Sequence, residues 1–298
     1  MGLIMTRPGF LAITLAGCLL GFALAAACGC GFDWPRAALA LVLALLAHAA
    51  ANVFNDYHDS LNGADAANSS GLFPFTGGSR LIQSGAATVA QTRQLAQHLF
   101  AVVILGGLLM TGLSGHGLLV IGMAGVGLAW AYSAPPLKLM SRGLGEMAVG
   151  LCWWLLVLGA DYVIRRRLEW VSAVTALSYG LMIANILLIN GFPDARADAA
   201  VGKRTLVVRV GPDAAALIYV HVALLAHVWL ALMVWGVISP PGAVWGLVSL
   251  PLSLAASALL WLRRREAHRL TPAIVLTIAA ACVHAIGMAL GLVLPTLY

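Results

Sequence analysis

What this chain lacks most is charge. Only 9% of its 298 residues are Asp, Glu, Lys or Arg, against roughly a quarter in an ordinary soluble domain. A water-exposed globule needs a polar coat, and 11 acids with 17 cations cannot supply one. Disorder, which depends on high charge and low hydropathy, is excluded on the same ground. Cysteine is sparse too. The five residues Cys18, Cys28, Cys30, Cys152 and Cys282 form no CxxC pair and lie within or beside apolar runs. They read as small buried residues, and a disulfide-stapled secreted domain is excluded. The eight histidines never fall at HxH, HxxxH or HExxH spacing, which argues against a zinc hydrolase. Lysine occurs only twice, so the net charge of +6 comes from arginines clustered between apolar stretches. Such clusters report membrane topology, not a nucleic-acid partner.

What is there is hydrocarbon. The chain is 61% hydrophobic, and its mean hydropathy is +0.95. A bilayer core about 30 Å thick needs about 20 apolar residues per helix. Nine segments qualify, near 9–30, 36–55, 92–113, 117–134, 144–164, 170–190, 213–238, 242–262 and 272–294. They are too long and too uniformly apolar for a barrel's alternation. The expected fold is all-α, a single transmembrane domain over 1–298 built as a bundle of about nine helices. Arg7 precedes an apolar run ending in Ala25-Ala26-Ala27-Cys28, which mimics a signal peptide, but the many further spans favour a first transmembrane helix. With nine spans, thirteen of the cations fall on the face holding the N-terminus and the loops after spans 2, 4, 6 and 8, and four on the other. The positive-inside bias then puts the N-terminus in the cytoplasm and the C-terminus outside, in a cell (inner) membrane. The two longest connections, roughly 35 and 20 residues, lie on that cytoplasmic face, where long loops are usually functional.

Eight of the eleven acids share the same face. One cluster reads Asn52-Val-Phe-Asn55-Asp56-Tyr-His-Asp59 and continues to Asp65; the other reads Asn190-Gly-Phe-Pro-Asp194-Ala-Arg-Ala-Asp198. At 3.6 residues per turn, Asn52, Asp56 and Asp59 form one stripe, and Asn190, Asp194 and Asp198 another. If the two helix ends face each other, four or more carboxylates converge on one cavity. Such a group persists at neutral pH only with raised pKa values or with a cation among its members. Oxygen-only donors from Asp and Asn suit Mg2+, which takes one or two carboxylates and completes its shell with substrate phosphate oxygens. A lone acid at a helix end is normally a cap or a solvated loop residue; the repeated spacing in a chain this poor in charge reverses that reading. Asn62-Gly63-Ala64-Asp65 is also an ordinary turn.

At these residues the sequence resembles the UbiA superfamily of intramembrane prenyltransferases. The first cluster is similar to its Asn-Asp-x-x-Asp motif and the second to its Asp-x-x-x-Asp motif. Tyr132-Ser133-Ala134-Pro135-Pro136-Leu137-Lys138 with Arg142-Gly143-Leu144-Gly145-Glu146 resembles its segment between helices 4 and 5. Gly202-Lys203-Arg204-Thr205-Leu206 resembles the stretch after the second motif. Asp65, nine residues after Asp56, and Gly77-Gly78-Ser79-Arg80 are similar to the menaquinone branch, which uses 1,4-dihydroxy-2-naphthoate; a ubiquinone-type third Asp would fall at Gly63. The resemblance implies transfer of a polyprenyl group from its diphosphate to an aromatic acceptor. It implies Mg2+ held by Asn52, Asp56, Asp59, Asp194 and Asp198, with Asn55, Asp65 and Asn190 in support. The diphosphate would be clamped by Arg80, Lys138 and Arg142 with the hydroxyls of Tyr132 and Ser133. Membrane lipid is the remaining partner.

An ion-coupled transporter is the rival class, but transporters bind near mid-membrane on broken helices, whereas these acids sit at helix ends. A UbiA-type enzyme with a different acceptor is the other alternative. His48, His221, His227 and His284 read as hydrogen-bonded residues inside the membrane. Arg165-Arg166-Arg167 runs against the charge bias without a reading of its own.

Overall fold

The computed structural model describes residues 2–29, 31–69 and 71–294. Its long elements are α1 (Leu11–Ala26), α2 (Trp34–Asn62), α3 (Val89–Ser114), α4 (Gly117–Ser133), α5 (Gly145–Arg165), α6 (Trp170–Ala200), α7 (Leu206–Trp235), α8 (Leu250–Arg263) and α9 (Thr271–Val293). A 3-10 segment, Pro241–Ser249, leads into α8 and completes that span. Among the described residues, eight helical spans are long and apolar enough to cross a membrane, and α4 is a shorter apolar helix of 17 residues. The protein is therefore a multi-pass, all-α membrane protein; of the nine spans expected, the one near 117–134 falls short of that length.

Enclosure differs sharply among the spans. Of the most apolar window of α6, 72% is buried, against 11% for α3. α6 is the central post, packed by α5, α7, α9 and α1, whereas α3 leans on α2 at the rim. The α5–α6 approach depends on Gly150 and Gly180: a Cβ on Gly180 would lie 2.8 Å from the Gly150 carbonyl oxygen. Without a hydrophobic driving force inside lipid, close backbone contact of this kind holds helices together.

Of the boundaries that depart from the hydropathy pattern, two matter most for the site. α2 continues to Asn62 and α6 to Ala200, well past the expected ends at 55 and 190. Hydropathy falls where Asp and Asn begin, but the backbone ladder carries on, because internal hydrogen bonding does not depend on lipid. The roughly 20-residue loop expected after span 6 thus shrinks to the turn 201–205. The long connection between α2 and α3 spans 63–88 and holds one short helix, Ala64–Ala67.

At the other end of the bundle the charges pair among themselves. Arg165 bonds Asp161 at 2.7 Å and the Leu24 carbonyl, and Arg167 pairs with Glu169. That accounts for two of the three arginines that had no reading. Cys18, Cys152 and Cys282 are free, and Cys18 is buried. Cys28 is disulfide-bonded, which corrects its reading as a plain apolar residue; Cys30 lies outside the described residues.

Candidate functional site

Because α2 and α6 run on as helices, their acids project as stripes. Asp56 and Asp59 are buried on α2, and Asp194 and Asp198 lie on the last turns of α6. The two ends meet. A cavity of about 100 Å³ is lined by Asn55, Asp59 and Asp65 from one side and by Asn190, Asp194 and Asp198 from the other, with Tyr132 and Glu146 between them. Lys203, in the turn after α6, spans the join: its ammonium lies 3.1 Å from Asp59 and 3.4 Å from Asp198.

The 63–88 loop ties the clusters from the opposite direction. Asn68 Nδ2 donates to Asp194 at 2.6 Å, and the Gly77 N–H points to the same carboxylate at 3.4 Å. The Ser79 N–H donates to Asp56 at 3.2 Å. Gly78, at φ 74, presses its backbone against Asp65; a Cβ there would lie 2.5 Å from the Asp65 carboxylate oxygen. Only glycine meets both demands, a left-handed backbone and no side chain. One short stretch, 77–79, therefore touches acids from both clusters and Asp65 as well.

The cations facing the cavity are Arg7 and Lys203. Arg7 ion-pairs with Asp56 and reaches Asn55 at 3.4 Å. Burial works against both charges, yet the pairing with Asp56 holds Arg7 above its ordinary range, and Asp59 with Asp198 does the same for Lys203. Asp65 responds in the other direction. Burial, then repulsion from Asp59 and Asp56, pushes its pKa up to about 7. The pocket holds more negative charge than its two cations balance, and it has open valences: Asn190 Oδ1 and Asn68 Oδ1 are buried without a hydrogen-bond partner. An added hard cation answers both conditions.

The donor set fits Mg2+. Every candidate ligand is an oxygen, and Lys203 already places a positive charge between Asp59 and Asp198. Among the described residues no group of three His, Cys, Asp or Glu side chains is gathered closely enough to hold an ion unaided. Mg2+ takes one or two carboxylates and completes its shell with phosphate oxygens. Asp59, Asp194, Asp198, Asn190 and Asn68 are cavity residues available to it, with Asp56 at the edge.

Several expected site residues stand elsewhere. Asn52 turns away and donates to the Thr6 carbonyl at 2.9 Å. Arg80 donates to the carbonyls of Asp65 (2.6 Å) and Asn68 (2.9 Å), so it braces the loop. Arg142 bonds the Pro136 carbonyl at 2.8 Å, and Ser133 is buried against Met140 sulfur. None of these, nor Lys138, lines the cavity; Tyr132 does. Arg7 was hidden in the sequence because it reads as a topology marker, and Lys203 because it reads as one of the cytoplasmic cations. Asn68 carried no spacing signal at all, and Gly77 stood out only within the Gly77-Gly78-Ser79-Arg80 resemblance.

Fold and site together define a polytopic membrane enzyme with a charged, oxygen-rich mouth at one end of an apolar bundle. The sequence profile of the UbiA prenyltransferase family matches residues 11–273. The chain belongs to that family and is a membrane prenyltransferase. It is 30% identical over 225 residues to the 1,4-dihydroxy-2-naphthoate octaprenyltransferase of Mycobacterium tuberculosis, covering 75% of this chain and 74% of the relative. The Escherichia coli protein of that name is 31% identical, over 69% of this chain and 67% of its own length. Among solved structures, a UbiA homologue from Aeropyrum pernix superposes with a TM-score of 0.70 at 16% identity, covering 93% of this chain and 96% of its own. One from Archaeoglobus fulgidus, bound to GPP and Mg2+, gives 0.59 at 13% identity, covering 96% and 99%.

Proposed function

We propose that this protein transfers a polyprenyl group from its diphosphate to 1,4-dihydroxy-2-naphthoate, the aromatic prenylation step of menaquinone formation. The observation that carries the reading is the shared cavity of Asp59, Asp194 and Asp198, lined also by Asp65 and by Gly77 and Gly78, the two features that resemble the menaquinone branch. The relatives named above, one of them at 30% identity, support the acceptor assignment. The Archaeoglobus homologue's GPP and Mg2+ support the ligand class.

In this reading Asp56, Asp59, Asp194 and Asp198, with Asn190 and Asn68 completing the oxygen set, would hold Mg2+. Bound there, Mg2+ supplies Lewis-acid neutralisation of the leaving group. The chain's own residues do the rest. Arg7 and Lys203 offset developing negative charge from fixed positions, which costs no reorganisation as the allylic C–O bond breaks. We assign them the clamping role in place of Arg80, Lys138 and Arg142. Tyr132 offers a hydroxyl on the opposite wall. The 77–79 turn fixes the carboxylates so that both clusters address one substrate. Apolar helices on every side exclude water that would quench the prenyl cation to an alcohol. Residues 1–298 act as one transmembrane domain, and the basic bias of this end puts the mouth and the N-terminus in the cytoplasm and the C-terminus outside.

The test is purified, detergent-solubilised protein supplied with labelled polyprenyl diphosphate, Mg2+ and a panel of aromatic acids. The expected result is a prenylated naphthalenediol with loss of the acceptor carboxylate as CO2, formed only with Mg2+. Prenylation of 4-hydroxybenzoate instead would overturn the acceptor, and absence of transfer to any acceptor would overturn the reading.

A further inference from the structure

A second cavity, about 360 Å³, lies at the same end of the bundle as the acids but outside its wall. It is lined by Phe54, Tyr57 and His58 of α2, Arg93 and Gln97 of α3, and Trp130 at the end of α4, closed by Ala134 and Pro135. On α2 these residues point opposite to the catalytic stripe. At 100° per residue, Phe54, Tyr57 and His58 centre on the face roughly half a turn from Asp56 and Asp59. The helix itself, about 10 Å across, separates the cavity from the reacting groups. It is not an extension of the diphosphate mouth.

The chemistry of this hollow is that of a membrane interface. Arg93 and Gln97 are exposed and stand one turn apart on α3, so a guanidinium fork and an amide share one ligand-facing edge. Among the described residues Arg93 has no ion pair. His58 is held edge-on between Phe54 (4.5 Å) and Tyr57 (5.0 Å). Trp130 and Tyr57 are residues that settle where headgroups meet hydrocarbon. A second cation, Lys138, follows in the turn tied to the wall by its N–H to the Ala134 carbonyl at 2.9 Å. Away from this end, α3 and α4 present exposed Val102, Leu105, Leu109, Val120 and Met123, a surface suited to acyl chains. The charge is positive, the rim aromatic and the continuation apolar.

We propose that this cavity binds the phosphate headgroup of an anionic bilayer lipid, with Arg93 and Gln97 on the phosphate and the acyl chains along α3 and α4. Basic pockets between transmembrane helices hold such headgroups for the same electrostatic reason. The site is independent of the acceptor assignment, since none of its residues takes part in the proposed transfer.

Native mass spectrometry of the detergent-solubilised full chain, titrated with phosphatidylglycerol or phosphatidylcholine, tests it. The expected result is one tightly held phosphatidylglycerol in preference to phosphatidylcholine. Arg93→Gln should weaken that lipid about fivefold, the effect of one interfacial arginine, and Gln97→Leu by less. Both variants should keep prenyl transfer and melting temperature unchanged, since both positions are exposed. Equal affinity for the two lipids, or a phosphatidylglycerol preference unaltered in Arg93→Gln, would overturn the proposal. Displacement of the lipid by millimolar inorganic phosphate alone would make this a free-anion site. Displacement by 1,4-dihydroxy-2-naphthoate would make it an acceptor site. Either result overturns the lipid assignment.

Discussion

Among the buried polar groups of this bundle, two clusters follow opposite rules. One lies toward the far end, where α6, α7, α9 and the 3-10 segment before α8 cross. His284 Nε2 meets Ser178 Oγ at 3.1 Å, and its Nδ1 meets Ser249 Oγ and the Gly246 carbonyl, each at 3.0 Å. His227 Nε2 reaches the same Ser249 hydroxyl at 2.9 Å, and its Nδ1 the Ala223 carbonyl at 2.8 Å. Each imidazole nitrogen has a partner, and no acid takes part. The other cluster, at the mouth, gathers six acids around two cations and leaves the side-chain amide oxygens of Asn68 and Asn190 without partners. A saturated network specifies packing. An over-charged, unsaturated one awaits a ligand, because its charge and its open valences are costly until something fills them.

That contrast can be broken most forcefully at the mouth. Asp194→Ala, or Asp56→Ala, should lower turnover by roughly 10³-fold, the scale of losing a fixed electrostatic element of a transition state. The protein should still insert and elute as a single species. Near-normal turnover in either variant would remove the acids from the reaction.

Lys203→Met probes the balance between acids and cations. Removing one partner of a buried pair costs about 3 kcal/mol or more, and here it leaves Asp59 and Asp198 facing each other. Turnover should fall by one to two orders of magnitude, less than for the acids. Thermal melts should show the variant gaining more stability from millimolar Mg2+ than the wild type gains, since ligand binding to the folded state stabilises it. Equal gains would mean that Lys203 is not balancing the metal site.

A smaller effect concerns pH. Asp65 has a folded pKa of about 7 against an ordinary 3.8. The folded state therefore retains a proton that the unfolded chain has lost between about pH 4 and 7. Stability of the Mg2+-free protein should decline as pH rises through that window, and Asp65→Asn should flatten the decline. Chemical denaturation at pH 5 and pH 7.5 measures it; an unchanged slope in Asp65→Asn would contradict the assignment. The smallest effect on turnover is expected in the saturated cluster. His284→Ala should cost about 2 kcal/mol of stability or more, by removing the imidazole's hydrogen bonds to Ser178, Ser249 and the Gly246 carbonyl and leaving a cavity, and leave kcat per folded molecule within twofold. A large kcat loss there would erase the distinction between the two clusters.

The sequence made the mouth's acids readable because their spacing depends on helix geometry alone. Asn52, Asp56 and Asp59 line up whether or not the membrane ends at residue 55. The bundle was readable for a similar reason, since each span declares itself by length and hydropathy. Legibility failed where partners come from a loop. Asn68, Gly77 and Ser79 meet the acids through the path of residues 63–88, and no periodicity encodes that path. It failed for Arg7 and Lys203 because a cation at a membrane face has two meanings, and only three-dimensional proximity to Asp56 and Asp59 separates them. Arg80 shows the reverse case: an arginine beside the motif that braces Asp65 and Asn68 carbonyls instead of facing the cavity.

In the proposed function, two stretches distant along the chain form one metal-dependent diphosphate site. Its most direct test is the melting-temperature shift produced by geranyl diphosphate, with and without Mg2+, in wild type, Asp59→Ala and Asp194→Ala. The expected result is a clear upward shift in wild type that requires Mg2+ and disappears in both variants. A shift of the same size without Mg2+, or one that survives in either variant, would contradict it.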